Sequence, residues 1–243
     1  MIFKDIHSGF YLTKQPLQYA CTHDEVARVS EACGIVKRAI FNREPDFDAN
    51  DATRAFAAAS GGAEIPVYQL LPPIFPANSF TRQQMEDAIR QEGALFRILP
   101  KSHNVPFAPW VYDWCLELLS ETRTPLLVSM GELDMRDAAE VKRAFPALRL
   151  VLTNTSQSRN REYMSFAKYF PHVYMETSCT IEYQGLESMT AIVGADRFLF
   201  GTNMPLKEPY DKIHQVLFCG LSQEEKELIA HGNFERLVER REP

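Results

Sequence analysis

A polar tip at the end of a short apolar strand is the first place where the sequence offers chemistry. Residues 198–200 are apolar, and the run breaks at Gly201 into Thr202 and Asn203, with Pro205 preventing its continuation. A buried parallel strand that presents a polar side chain at its carboxyl end is how an α/β barrel builds a site. Asn203 is neutral, so the chemistry at this tip does not begin with a carboxylate.

His7 and Ser129 are candidates for proton transfer and nucleophilic attack, and with Asn203 they form the predicted catalytic set. His7 ends a weak first strand, where it is either a functional imidazole or an inert core histidine. Ser129 ends a stronger strand, but residues 127–131 lack the full nucleophile-elbow pattern. We therefore expect Ser129 to line a polar site more readily than to attack a substrate.

Short apolar runs alternate with helical patterns along the whole chain. Strands are predicted at 2–7, 35–41, 65–71, 94–99, 125–129, 148–154, 173–178 and 198–200. Capping boxes that start at Thr22, Thr81 and Ser222 mark three helix starts. Because each helix returns the chain for the next strand, the strands are expected to run parallel and to close into a ring. We predict an α/β fold, a single (β/α)8 TIM-barrel domain over residues 1–243, instead of an open sheet with a glycine-rich first turn.

Composition excludes several classes of partner. The 243 residues carry a net charge of −6 and contain no block of lysine and arginine, so neither nucleic acid nor an anionic membrane is expected. The five cysteines are not spaced as a disulfide framework or a zinc cage, which favours reduced thiols in a cytoplasmic protein. No signal peptide and no membrane span are predicted.

Five stretches, in the right order, resemble the metal-dependent amidohydrolase superfamily. Residues 194–205, GADRFLFGTNMP, are similar to its last-strand pattern GADRILFGTDYP, and residues 124–132, TPLLVSMGE, to its fifth-strand pattern TPLLVHTGE. Residues 5–9 resemble a DxHxH opening, residues 148–154 a sixth strand that ends in histidine, and residues 229–237 a closing helix with GNAERL. The closest branch contains amidohydrolase-related proteins and non-oxidative decarboxylases. The resemblance implies a barrel with a divalent metal at its mouth.

Four of the five positions that this family uses for its metal or the metal-bound water are changed. His7 is kept, whereas Gly9, Ser129, Asn154 and Asn203 stand where the pattern has three histidines and an aspartate. Zinc prefers imidazole, thiolate or carboxylate ligands, and sites for harder ions still depend on carboxylates. We therefore expect no metal and no other cofactor; the alternative is one divalent ion, Zn or Mn, near His7.

The replaced positions predict a neutral polar lining. Ser129, Asn154 and Asn203 each donate and accept hydrogen bonds, which suits an amide, a sugar or a carboxylate. Arg97 stands where the resemblance implies a lysine that faces the pocket, and there it would favour an anionic ligand. The alternative for Arg97 is an outward-facing salt bridge.

Glu132, Glu176 and His103 complete the predicted ligand-binding set. Glu132 and Glu176 could rebuild a metal site or supply a general base, but strand alternation lets only one of Glu176 and Thr177 face inward. The alternatives are a solvated loop for Glu132 and a helix-facing contact for Glu176. His103 lies in a proline-rich loop that is expected to approach the barrel mouth.

Two functions follow from these residues. The first is a degenerate, metal-free barrel that binds a small polar or anionic molecule at its mouth without hydrolysing it. The second is an active hydrolase or decarboxylase acting on a small amide, ester or carboxylate, with a rebuilt or metal-independent site. A small molecule is the expected partner in either case, and a homo-oligomer is compatible with both.

Overall fold

Eight parallel strands form one sheet in sequential order in the computed structural model, which describes residues 1–13, 21–44, 49–75 and 78–241. The strands are β1 Phe3–Phe10, β2 Ile35–Asn42, β3 Glu64–Gln69, β4 Leu95–Ile98, β5 Leu126–Ser129, β6 Leu150–Thr153, β7 Val173–Glu176 and β8 Phe198–Leu199. Each strand pairs in parallel with the next one along the chain. Seven of the eight predicted strands match within a few residues, and β1 continues to Phe10 instead of ending at His7.

The segment after β8 returns to β1 and closes the ring. The amide of Ile6 donates to the carbonyl of Phe200 at 3.0 Å, and the amide of Gly9 donates to the carbonyl of Met204 at 2.8 Å. Backbone hydrogen bonds therefore join the first strand to the last, as barrel closure requires. The predicted (β/α)8 barrel is confirmed.

Helices separate the strands and cover the outside of the barrel. They are α1 His23–Ala32, α2 Ala49–Ala59, α3 Arg82–Gln91, α4 Pro109–Glu121, α5 Met135–Ala144, α6 Asn160–Tyr169, α7 Gly185–Val193, α8 Pro209–Phe218 and α9 Gln223–Glu227. The three predicted capping boxes are present, before α1, α3 and α9. Two π-helical segments, Leu228–Gly232 and Glu235–Glu239, follow α9. Within the described ranges, none of the helices has the length and apolar character needed to traverse a bilayer.

The barrel interior is a separate apolar cluster to which every strand contributes. Its strand members include Leu95, Leu127, Val151, Tyr174 and Leu199, and the C-terminal segment adds Phe234, Leu237 and Val238. Side chains two residues apart on a strand point to the same face. Two residues further along β4, β5, β6 and β7, nearer the carboxyl ends, the inward-facing side chains are polar. They are Arg97, Ser129, Thr153 and Glu176.

Candidate functional site

A cavity of about 160 Å³ opens among the carboxyl ends of the strands. It is lined by His7, Phe41, Arg43, Arg97, Ile98, Leu99, Leu127, Ser129, Glu132, Thr153 and Asn154. Four of the predicted site residues thus join His7 around one space, whereas Glu176, Asn203 and His103 lie outside the lining. A cavity of about 150 Å³ in another protein holds a benzene molecule, so this one suits a ligand of that size.

Arg97 projects into the cavity from β4 and packs against an aromatic ring. Its guanidinium carbon is 4.3 Å from the centre of the Phe41 ring. Among the described residues, the guanidinium has no hydrogen-bond acceptor and no carboxylate within ion-pair distance, so the predicted alternative of an outward salt bridge does not occur. Burial and the neighbouring Arg43 lower the pKa of Arg97 to about 9, against the opposing charge of Glu132.

Arg43 is a site residue that the sequence analysis missed. It follows β2 by one residue, and its Nη2 donates to the Asn203 side chain and, at 3.0 Å, to the carbonyl of Met204. Its guanidinium carbon lies 4.8 Å from the Phe41 ring centre, so both arginines share one aromatic platform. Burial lowers the pKa of Arg43 to about 10. Strand alternation from Ala39 and Phe41, which face the barrel interior, would have placed Arg43 inward.

The predicted neutral residues form a hydrogen-bonded chain. The Asn203 Nδ2 donates to Asn154 Oδ1 at 2.7 Å, and the Asn154 Nδ2 donates to Ser129 Oγ at 3.3 Å. Both asparagines have left-handed backbones, with φ values of 58° and 52°, which asparagine tolerates better than most residues. The three side chains satisfy one another, so part of their hydrogen-bonding capacity is already used.

Glu176 is completely buried and, like Tyr174 two residues earlier, faces the barrel interior, so the alternative of a helix-facing side chain is wrong. Its carboxylate accepts from the Asn154 amide at 2.8 Å and the Ser178 hydroxyl at 2.7 Å. His7 Nδ1 lies 3.3 Å from Oε1, close enough for charge attraction although it makes no aligned hydrogen bond. Burial alone would raise the pKa of Glu176, but His7 and the Ser178 donors outweigh it and hold the pKa below 4.5. A side chain at Gly201 would lie 2.5 Å from Oε2, which explains the glycine after β8.

Asp5 joins the first strand to the segment after the last one. Its buried carboxylate accepts from the His7 amide at 2.8 Å and from the Thr202 amide at 3.1 Å, and also from the Thr202 hydroxyl. Burial nevertheless raises its pKa. Asp5 therefore positions His7 and the polar tip instead of facing the cavity.

Glu132 and His103 lie on the β4–β5 side of the mouth. Glu132 lines the cavity, and its carboxylate accepts from the Ser102 amide at 2.9 Å and the Ser102 hydroxyl at 2.7 Å. His103 Nε2 is 3.0 Å from Gln69 Nε2, and burial lowers the pKa of His103. Glu132 therefore orders the loop after β4, and His103 packs beside the cavity.

The donors at the mouth do not fit a divalent metal. Among the described residues, no group of three or more histidine, cysteine, aspartate or glutamate side chains is arranged to hold an ion. His7 is the sole imidazole that lines the cavity within those residues, and the Ser129 and Asn154 oxygens already accept hydrogen bonds. The carboxylate nearest His7, that of Glu176, is engaged by Asn154 and Ser178. Absence of a metal stays a prediction that rests on this donor chemistry.

A family model described as Amidohydrolase matches residues 8–240. The chain belongs to the amidohydrolase family. No curated protein matches it significantly.

Solved structures share the amidohydrolase fold at low sequence identity. An uncharacterized TIM-barrel protein from Bordetella bronchiseptica has a TM-score of 0.78, 16% identity and 99% coverage of both chains. The 2,6-dihydroxybenzoate decarboxylase from Rhizobium has a TM-score of 0.75 and 12% identity, covering 98% of this chain and 99% of that one. A dihydroxybenzoic acid decarboxylase from a Polaromonas species, with bound manganese and 2-nitroresorcinol, has a TM-score of 0.74 and 14% identity, covering 100% and 98%.

Proposed function

We propose that the barrel mouth binds a small planar carboxylate through Arg97, without a divalent metal. The observation that carries this proposal is a partly buried guanidinium that lines the cavity and has no acceptor among the described residues. A buried cation without a partner costs free energy, and the Phe41 ring offsets only part of it. A carboxylate would supply two parallel hydrogen bonds to the guanidinium and balance its charge.

The size and walls of the cavity favour a ligand of about one aromatic ring. Its volume of about 160 Å³ is close to that of a benzene-sized site, and Phe41, Ile98, Leu99 and Leu127 supply apolar wall. Two of the similar structures are decarboxylases of dihydroxybenzoates by their names. An aromatic monocarboxylate is therefore the ligand class that matches the charge of Arg97, the volume of the cavity and the ligands named for the similar structures.

Calorimetric titration with benzoate tests the proposal. We expect binding to the purified chain that EDTA does not weaken, and no binding of benzyl alcohol, which lacks the charge. Arg97→Met should weaken benzoate binding about 10- to 100-fold, because a charge-assisted hydrogen bond contributes about 1.5–3 kcal/mol. Arg161→Met, at an exposed position on α6, is the matched control and should bind like the wild type. Unchanged binding by Arg97→Met, or loss of binding in EDTA, would contradict the proposal.

A second candidate is catalysis by His7. The imidazole lines the cavity, stacks on Phe41 at 5.4 Å and lies 3.3 Å from the Glu176 carboxylate. An imidazole next to a buried carboxylate is suited to proton transfer, which decarboxylation and hydrolysis both need. Release of CO₂ from 2,6-dihydroxybenzoate in the presence of EDTA, lost in His7→Gln, would favour this metal-independent enzyme over a binding protein. Release that requires added Mn²⁺ would instead favour a rebuilt metal site.

A further inference from the structure

The Arg43 side chain fills the space at the barrel mouth that a side chain at position 9 would need. A Cβ atom at Gly9 would lie 2.2 Å from Arg43 Nε, 2.7 Å from its Cγ and 2.8 Å from its Cζ. Gly9 is not among the glycines with positive φ, so backbone conformation does not require glycine there. The glycine is needed because the arginine fills the volume into which its side chain would extend.

The Arg43 guanidinium is held firmly in that volume. Nη2 donates to the Asn203 side chain and to the Met204 carbonyl, and Nε donates to the same carbonyl at 3.3 Å. The Phe41 ring supports the guanidinium from one side. The acceptors include a backbone atom and an asparagine that Asn154 also orients, so the positive charge has one defined position.

Two of the contacting residues stand at former metal-site positions. The family pattern has histidine at the position of Gly9 and aspartate at the position of Asn203. The guanidinium donates to Asn203 and fills the space where a side chain at position 9 would begin. A fixed cation between two ligand positions repels a second cation and uses the acceptor that would bind it. We propose that Arg43 is a built-in cation that replaces the divalent metal, and that it donates to a ligand oxygen next to the carboxylate bound by Arg97.

The residues at positions 9, 43 and 203 therefore depend on one another. Histidine at position 9 clashes with Arg43, whereas asparagine at position 203 accepts from the guanidinium and still donates to Asn154. Arg43 Nη1 makes no hydrogen bond to any described residue, and Arg43 lines the cavity. It is therefore free to donate to a ligand. The part of the proposal that concerns the ligand rests on the proposed function and narrows its class to carboxylates with an oxygen next to the carboxylate, such as 2-hydroxybenzoate.

Thermal unfolding of a double-mutant cycle tests the coupling without any ligand. Gly9→Ala should lower the Tm by about 3–8 °C, because overpacking a filled site is destabilising. In the Arg43→Ala background, Gly9→Ala should lower the Tm clearly less than it does in the wild type, because the clashing side chain is absent. Gly131→Ala is the matched control, because its Cβ would meet only Ser129 Oγ at 3.7 Å. An equal loss of Tm from Gly9→Ala in the two backgrounds would overturn the coupling.

Restoring metal ligands tests whether Arg43 stands in the place of the ion. Gly9→His, Ser129→His and Asn203→Asp are combined in two variants, one that keeps Arg43 and one with Arg43→Ala. Dialysis against Mn²⁺ followed by metal analysis should show more manganese in the Arg43→Ala variant. Equal manganese content in the two variants, or stoichiometric manganese in the wild type, would overturn the replacement.

Calorimetry with 2-hydroxybenzoate and benzoate tests the ligand contact. Wild type should bind 2-hydroxybenzoate more tightly, by about threefold or more, as expected for one added hydrogen bond. Arg43→Met should abolish the preference for 2-hydroxybenzoate over benzoate, whereas Arg97→Met should weaken the binding of both ligands. A preference that survives Arg43→Met overturns the contact. If neither ligand binds the wild type, the proposed function fails together with the contact, and the coupling and manganese results still decide the role of Arg43 as a cation.

Discussion

The two sides of the barrel mouth use their polar residues in opposite ways. On the closed side, which comprises Asp5, Glu176, Asn154 and Asn203, polar side chains that are buried or half-buried are engaged by neighbouring protein groups. The open side comprises Arg97 and the cavity wall around it. There the Arg97 guanidinium packs against the Phe41 ring and has no hydrogen-bond acceptor among the described residues. Strands of the same ring form both sides. The sides differ mainly in whether the protein itself supplies hydrogen-bond partners for the polar side chains.

This difference separates a structural role from a ligand-binding role. A buried polar group with all its partners stabilises the fold, and its removal leaves several donors without an acceptor. A buried cation without a partner lowers stability and is retained only where something outside the chain completes it. The closed side is therefore expected to control folding, and the open side to control binding.

The largest expected effect is loss of stability in Glu176→Gln. The backbone amide of Asn154 and the Ser178 hydroxyl donate to one carboxylate oxygen, and the Ser178 backbone amide donates to the other. Glutamine has a single oxygen and puts an NH₂ group in place of the second, so at least one buried donor loses its partner. We expect a loss of about 3 kcal/mol in the free energy of unfolding, measured by urea denaturation. Glu224→Gln, an exposed change on α9, is the control and should alter stability little. A stable Glu176→Gln protein would show that the closed side is not a structural unit.

The same carboxylate predicts an acid dependence. The pKa of Glu176 is held below its ordinary value of 4.5, so the folded state favours the ionised form. This stabilisation is complete above about pH 4.5 and is lost as the pH falls through the folded pKa. The stability difference between wild type and Glu176→Gln should therefore shrink between pH 5 and pH 3. A difference that stays constant over this range would show that the charge of Glu176 does not stabilise the fold.

Arg97→Met should change stability far less, and in the other direction. Removing a partly buried cation that no described residue pairs with relieves a desolvation cost, and the methionine keeps contact with Phe41. We expect the free energy of unfolding to stay within about 1 kcal/mol of wild type or to rise, while benzoate binding is weakened. A decrease of more than about 2 kcal/mol would make Arg97 a structural residue and remove the contrast between the two sides.

The smallest expected effect concerns Glu132. Its charge lies near Arg97, and glutamine in its place would keep an acceptor for Ser102. Glu132→Gln should strengthen benzoate binding about two- to fivefold at low salt, because one repulsive charge is removed, and the gain should shrink at high salt. Weaker binding would instead indicate that Glu132 itself contacts the ligand.

Much of the barrel could be predicted because its signals are local. The strand order follows from the alternating apolar runs, the three capping boxes and the last-strand pattern. In a parallel barrel this order brings Ser129, Asn154 and Asn203 to the same end. The inward direction of Glu176 follows from alternation with Tyr174, once it is known that Tyr174 faces the interior. Extension of β1 to Phe10 was missed because Ser8 and Gly9 are weak strand formers, and pairing with β2 overrides that preference.

The amino-acid sequence alone was enough to predict the eight alternating strands and helices, the resemblance to the family pattern and the four positions that differ from that pattern. The tertiary structure decided which charges have partners. Arg43 and Asn203 lie 160 residues apart, and nothing local in either segment indicates that the guanidinium fills the space beside Gly9. Closure of the ring brings these segments together, and only then does a pair of arginines on one phenylalanine become a site.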